Sequence, residues 1–337
     1  MRVAFIGSTK RGYETLKALL EAGADLVGVV SLAQHAHETE RFEGAIADLA
    51  SRYDVPCIET QWMKDRDYAA LLADEWQADM AFIVGCRVLI PRAVYEAPHL
   101  GSLAVHDSLL PKYRGFAPLN WAILNGEDHT GVTLFYLSED MDEGDIVLQQ
   151  AVPIGPDETA PQVYEKVCQA TVDVVLEGHA RLLAGNAPRI PQKAGVGSYT
   201  CSRTPLDGCM DWNRPTTEIY NLIRALTKPY PGAYTYYKGR KLLVWAAEPA
   251  PPVNYVGRIP GRVVGLSPAE GWVDVLTGDG ILRLTSVQLE GEEPAAPASV
   301  IRSVRASLGL NLVELLERIQ DLEGRLKALE EPGDERI

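Results

Sequence analysis

The feature that most constrains the fold is the alternation of short apolar runs with helical patterns through the first 150 residues. Residues 3–6, 26–30, 80–84 and 100–105 read as buried strands. Between them, residues 13–22, 45–52 and 68–76 carry apolar side chains at helical spacing. Strands that are apolar on both faces must be covered on both sides. The alternation therefore predicts an α/β fold, with βαβ units and a mainly parallel, Rossmann-like sheet. Residues 132–137 and 146–154 predict two further strands, the second alternating as an edge strand does, and 161–183 predicts a closing helix.

The second half reads differently. Residues 185–204 are rich in Gly, Pro and Ser and suggest a linker, and 219–226 predicts one amphipathic helix. Five short runs at 233–237, 241–246, 261–265, 272–276 and 281–288, separated by turns, predict a small β-barrel of OB type. From Leu308 the apolar positions 308, 312, 315, 319, 322, 326 and 329 are spaced alternately by four and three, as in a coiled-coil or bundle helix. Gly324 weakens such a helix by about 1 kcal/mol relative to Ala. The domain reading is a first domain over 1–190, a linker over 191–205, an OB-like domain over 206–298 and a helical tail over 299–337. The tail suggests a homodimer through its helix, with packing on its own domain as the alternative.

Charge bears on partners. The 32 Lys and Arg against 46 Asp and Glu give a net charge of −14, which disfavours nucleic acid, because phosphates bind where cations concentrate. The apolar runs are strand-sized, so no membrane partner is expected. Cys57, Cys86, Cys168, Cys201 and Cys209 are an odd number without CxxC spacing, and residues 1–12 lack an apolar signal core. Both point to free thiols and a cytoplasmic location. No metal is expected: His35 and His37 lie in a polar loop and His129 in a polar turn, without a ligand set around them. The GSTKRG turn holding Gly7 and Gly12 departs from GxGxxG, which disfavours a nicotinamide.

The informative stretch runs from 106 to 145, HDSLLPKYRGFAPLNWAILNGEDHTGVTLFYLSEDMDEGD. His106 ends a predicted strand, where reactive groups collect in open α/β sheets. Pro111, Gly115 and Pro118 hold a loop over that strand end. Asp142 lies in a second loop, MDEGD, where Gly144 permits a tight turn. A carboxylate reaching the imidazole would raise its pKa and fix its tautomer.

HDSLLPKYRGFAPLNWAILNGE followed by MDEGD resembles the 10-formyltetrahydrofolate-dependent formyltransferases, which include methionyl-tRNA, glycinamide ribonucleotide and sugar-nucleotide N-formyltransferases. RTPLDGCMDWNRPTTEIYNLIRALTKPYPGAYTYYKGRKLLVW resembles the C-terminal domain of the tRNA and aminosugar members. The resemblance covers about 290 residues and leaves out the tail. It implies a formyltransferase fold and transfer of a formyl group from 10-formyltetrahydrofolate to a primary amine. His106 and Asp142 match the family's catalytic His and Asp. Ser108, Leu109, Leu110 and Pro111 match the loop that borders the folate. Val88, Leu89 and Ile90 match the segment whose backbone holds the pterin, and Ser138, Glu139, Asp140, Met141 and Asp142 match the loop that completes that pocket.

Two positions depart from the family. Ala104 stands where the family has an Asn that helps stabilise the oxyanion, a donor worth about 10²–10³ in rate. Phe116 replaces a basic residue of aminosugar members. The tRNA-directed members carry a basic insertion after the second strand, whereas residues 33–45 here read AQHAHETERFEGA. The resemblance and the charge together favour a small amine, a nucleotide-linked aminosugar first. Methionyl-tRNA is the alternative acceptor, and a non-catalytic folate-binding protein or inactive variant is the alternative that Ala104 raises.

Overall fold

The structure is a computed structural model and describes residues 1–34, 41–64, 66–193, 195–310 and 312–330. His35 and His37 lie outside the described residues. Strand β1 (Arg2–Gly7) sends Val3 and Phe5 into one apolar core and Ala4 and Ile6 into another, because successive side chains of a strand face opposite ways. The chain continues through α1 (Thr9–Glu21), β2 (Asp25–Leu32), α2 (Glu43–Arg52), β3 (Cys57–Thr60), α3 (Tyr68–Ala70) and β4 (Met80–Val84). Then come α4 (Arg92–Tyr95), β5 (Ser102–His106), the two-residue β6 (Arg114–Gly115), α5 (Pro118–Leu124) and β7 (His129–Tyr136). Strand β8 (Ile146–Pro153), α6 (Ala160–Leu183) and the short β9 (Tyr199–Thr200) follow.

Seven strands form one sheet in the order β3-β2-β1-β4-β5-β7-β8. Pairing is parallel from β3 to β5 and antiparallel from β5 through β7 to β8. Helices α1 and α6 cover one face through Leu16, Leu19, Val163 and Val167, while Tyr68, Leu72, Trp76 and Tyr95 cover the other. This is the mainly parallel α/β sheet that the apolar runs predict. One local expectation differs, and two short elements were not predicted. The helix predicted over 68–76 is one α turn followed by a wider one over Leu71–Glu75, where Trp76 N–H bonds the Leu71 carbonyl. Strand β3 and helix α5 are too short to leave a periodic signal.

The stretch expected to be a linker is fastened down instead. Ile190 exchanges both backbone hydrogen bonds with Ile146, and β9 pairs in parallel with β6. Its small and polar residues suit a strap as well as a linker, and composition alone does not separate the two. The chain divides into two units, Met1–Asp207 with Arg224–Pro231, and Gly208–Ile223 with Gly232–Ile337.

The second unit is built on an antiparallel sheet of β10 (Ala233–Tyr237), β11 (Arg240–Pro249), β12 (Val263–Leu266), β13 (Val273–Leu276) and β14 (Ile281–Leu289). The strand order is β10-β11-β14-β13-β12. Helix α7 (Thr216–Leu226) carries Ile219 and Ile223 into the core with Trp212, Leu242, Val244 and Leu284. Helix α8 (Pro297–Val300) and an irregular stretch precede α9 (Leu312–Glu330). Leu308, expected to start the apolar stripe of the tail, is buried in the sheet core with Ile301, so the helix begins one step later, at Leu312. Among the described residues, no helix is long and apolar enough to cross a membrane.

Candidate active site

The site grows out of the alternation in β5. Leu103 faces the α1/α6 side, whereas Ala104 packs into the opposite core with Ile83, Phe135 and Leu110. Residue 106, two further on, returns to the face of residue 104. His106 therefore stands at the carboxyl end of β5, one strand beyond the point between β1 and β4 where the strand order reverses.

The imidazole is 9% exposed and both of its nitrogens face acceptors. Nε2 donates to the Tyr113 carbonyl at 2.7 Å, and Nδ1 lies 3.5 Å from Asp142 Oδ2. The carbonyl bond places the proton of the neutral ring on Nε2 and leaves the Nδ1 lone pair towards the carboxylate. Burial disfavours the charged ring and holds His106 below its ordinary pKa. Asp142 and the Tyr113 carbonyl pull the other way, and Arg11 adds to the lowering. The result is a neutral base surrounded by groups that would receive its charged form.

Each partner is held in turn. Tyr113 adopts a positive φ of 59°, its N–H donates to Ser198 Oγ at 2.9 Å, and its hydroxyl donates to Glu127 at 2.7 Å. Asp142 has a φ of 55° and accepts the Gly115 N–H at 2.8 Å. Gln192 donates to the Asp142 carbonyl at 2.7 Å and to the Gly144 carbonyl at 2.9 Å, clamping the second loop. Gly144 is obligatory there, since a Cβ would stand 1.7 Å from the Tyr136 carbonyl oxygen. Gln192 Oε1 accepts from Arg114 Nη2 at 2.8 Å, and Arg114, only 5% exposed, is also met by Glu143 and the Tyr199 hydroxyl at 3.1 Å.

The loop over the strand end has its own support. Thr133 Oγ1 donates to the Ser108 carbonyl at 2.6 Å and accepts the Leu110 N–H at 3.1 Å. Gln149 donates to the Leu110 carbonyl at 2.8 Å. Ser108 and Leu110 are buried, with Leu109 and Pro111 half-buried. Val88 and Ile90 pack against the same core as Leu110 and Ala104. Leu89 between them is 85% exposed and takes no part in that core. Arg92, at the start of α4, reaches Glu139 at 2.9 Å and ties this segment to the second loop. In that loop Ser138 donates to the Asp140 carbonyl at 3.1 Å, while Glu139, Asp140 and Met141 are exposed.

The structure thus draws the segments around Val88, Ser108, His106 and Asp142 to one end of the sheet. His129, by contrast, opens β7 at the surface beside Asp128. The sequence reading passed over Arg114, Gln192, Ser198, Thr133 and Gln149. Arg114 lies inside the quoted motif and could have been singled out. Gln192 and Ser198 sit in a stretch whose composition says only that it is irregular.

Comparison with known proteins places these residues in context. Residues 1–177 match the formyl transferase family and residues 203–305 the formyl transferase C-terminal domain. The chain is 36% identical to the methionyl-tRNA formyltransferase of Symbiobacterium thermophilum, over 87% of this chain and 89% of that protein. It is 33% identical to that of Pelotomaculum thermopropionicum, over 93% and 99%. Its fold resembles the N-formyltransferase of Helicobacter canadensis, solved with folinic acid and dTDP-3-aminofucose, with a TM-score of 0.62 and 17% identity over 84% and 97% of the chains. It also resembles HypX of Aquifex aeolicus, solved with tetrahydrofolic acid, with a TM-score of 0.58 and 22% identity over 89% of this chain. The chain spans just under half, 46%, of HypX. With both of its parts matched and a third of its residues shared with full-length relatives, the chain belongs to the formyl transferase family.

Proposed function

We propose that the protein transfers the formyl group of 10-formyltetrahydrofolate to a primary amine, at the carboxyl end of β5. The observation that carries this reading is His106, buried, with Asp142 at 3.5 Å from Nδ1 and the Tyr113 carbonyl on Nε2. The surroundings fit a folate. Val88, Ile90, Leu110 and Leu137 offer an apolar wall, which suits the flat face of a pterin. Bound there, the folate supplies the formyl carbon.

Nδ1 is the ring nitrogen left to take a proton, because Nε2 is held by the carbonyl. His106 takes the proton that the amine gives up as it becomes an amide, and returns it to the carrier nitrogen whose bond to the formyl carbon breaks. Asp142 stabilises the charged ring while it holds that proton. Gln192 and Gly144 keep Asp142 in place.

For the acceptor we favour a small amine, a nucleotide-linked aminosugar first. The flank after Tyr113 exposes Phe116 and Met141 rather than cations, and Arg114 is engaged by Glu143 and Gln192. An apolar rim suits a sugar ring better than an extended phosphate backbone, whose binding rests mainly on clustered Lys and Arg. The second reading, transfer to methionyl-tRNA, is favoured by the two relatives that share 36% and 33% of their residues with this chain. The test is tetrahydrofolate release from 10-formyltetrahydrofolate, with dTDP-linked aminosugars and with methionyl-tRNA offered in parallel. Turnover with an aminosugar alone supports the first reading and turnover with the tRNA alone the second. Folate binding without release in the presence of any amine overturns both.

A further inference from the structure

The tail carries a pattern that formyl transfer does not use. Along α9, Leu315 is 38% exposed, Ile319 49%, Leu322 52% and Leu326 57%, so their own subunit leaves this stripe half open. These residues alternate between the two core positions of a heptad, with Ile319 and Leu326 at a and Leu315 and Leu322 at d. By sequence, Leu312 and Leu329 extend the same series in both directions.

The flanking positions say what covers the stripe. On that register Arg318 and Arg325 fall at g, and Glu323 and Glu330 fall at e. In a parallel pair each g residue faces the e residue five positions further on in the other helix. Arg318 then meets Glu323 and Arg325 meets Glu330, twice per dimer each, with opposite charges throughout. In an antiparallel pair g faces g and e faces e, which would set arginine against arginine and glutamate against glutamate. At the one a position that is Ile, 319, the Leu residues at d on either side also favour two strands over three or four.

We propose that α9 pairs with α9 of a second copy of this chain as a parallel, two-stranded coiled coil. The Arg318 guanidinium passes within 3.2 Å of the Cβ site of the Gly239 turn, while the seam residues beside it stay about half exposed. Leu316, at e and 50% exposed, widens the seam at that end.

The experiment uses the full chain in light scattering coupled to size exclusion, over a dilution series. The wild type should show twice the 36.9 kDa of one chain. Arg318→Glu with Arg325→Glu makes every flank acidic, and Glu323→Arg with Glu330→Arg makes every flank basic. Each double variant alone should fall to the single-chain mass, and an equimolar mixture of the two should recover the double mass. The recovery shows that both variants remain folded. A wild type at the single-chain mass at every concentration, or at three or more chains, overturns the proposal. Double mass retained by each variant alone, or a mixture that stays at the single-chain mass, overturns it as well.

Discussion

Replacing Asp142 with asparagine removes one negative charge from a point 3.5 Å from His106 Nδ1 and changes little else. The amide oxygen can still accept the Gly115 N–H, and asparagine is among the residues that tolerate a positive φ such as the 55° found here. Two unit charges at that distance attract by about 1 kcal/mol in water and about 5 kcal/mol at an effective dielectric constant of about 20. His106 is 9% and Asp142 18% exposed, which puts the pair towards the second figure. The loss of the carboxylate, which works against the burial that already lowers the ring's pKa, should lower the His106 titration further. The ring already titrates below its ordinary range, so in Asp142→Asn it should stay neutral down to the acid limit of the fold. The assay is an NMR titration of labelled histidine without folate, with the His106 signal assigned from His106→Asn. A midpoint equal to or above that of the wild type would refute the electrostatic pairing on which the proposed proton transfer rests.

His106→Ala should abolish formyl transfer, and adding Asp142→Ala should cost little more, because the two act as one unit; initial rates of tetrahydrofolate release check this. Ala104→Asn should raise that rate by about 10²-fold if the missing amide is an oxyanion donor, and an unchanged rate shows that another group has taken over. Gln192→Ala leaves two loop carbonyls and one side of the Arg114 guanidinium without a partner, so unfolding in denaturant should become easier by about 1–3 kcal/mol. Burial lowers the His106 pKa in the folded state, so its neutral form stabilises the fold fully above the ordinary value of 6.5 and loses that contribution as pH falls through the lower folded value. His106→Asn should therefore flatten the acid limb of a stability-against-pH curve, and an equally steep limb counts against the assignment.

The sheet was legible because its strands are buried on both faces, and such strands leave continuous apolar runs between amphipathic helices. Val3 to Ile6 are all buried, as are Met80 to Val84. Strand β3 was not legible, for Cys57 to Glu59 are only partly covered and four residues cannot show a period. The strap from Ile190 to Thr200 was misread for a different reason. Its order comes from hydrogen bonds to residues 78 and 86 positions away in sequence, such as Gln192 to Arg114 and Thr200 to Arg114, and local composition does not encode such pairings. Leu308 shows the same limit within the tail. A four-three spacing records which residues are apolar, and it gives the same signal whether the first of them serves a helix or the end of a β-sheet core.

The site was legible in its chemistry and illegible in its scaffold, and position 104 shows why the difference matters. The family resemblance marked His106 and Asp142, and the structure brings them to 3.5 Å. The groups that give them a function are backbone atoms, namely the Tyr113 carbonyl and the Gly115 N–H, and any residue could have supplied those. Residue 104 lies between the two cases. The two-residue period of β5 puts it on the same face as His106, so an amide there would point towards the imidazole, whereas Ala104 instead fills the core beside Ile83 and Phe135. A methyl group in that place offers no hydrogen bond to a developing oxyanion, and burial keeps His106 neutral at rest. On the proposed reading, the imidazole would have to supply both the proton transfer and the hydrogen bond that the missing amide would have given. Asp142 and the Tyr113 carbonyl are the groups that would make a charged ring tolerable, so on that reading Gln192, which holds the Asp142 loop, should bear on the rate without touching the substrate.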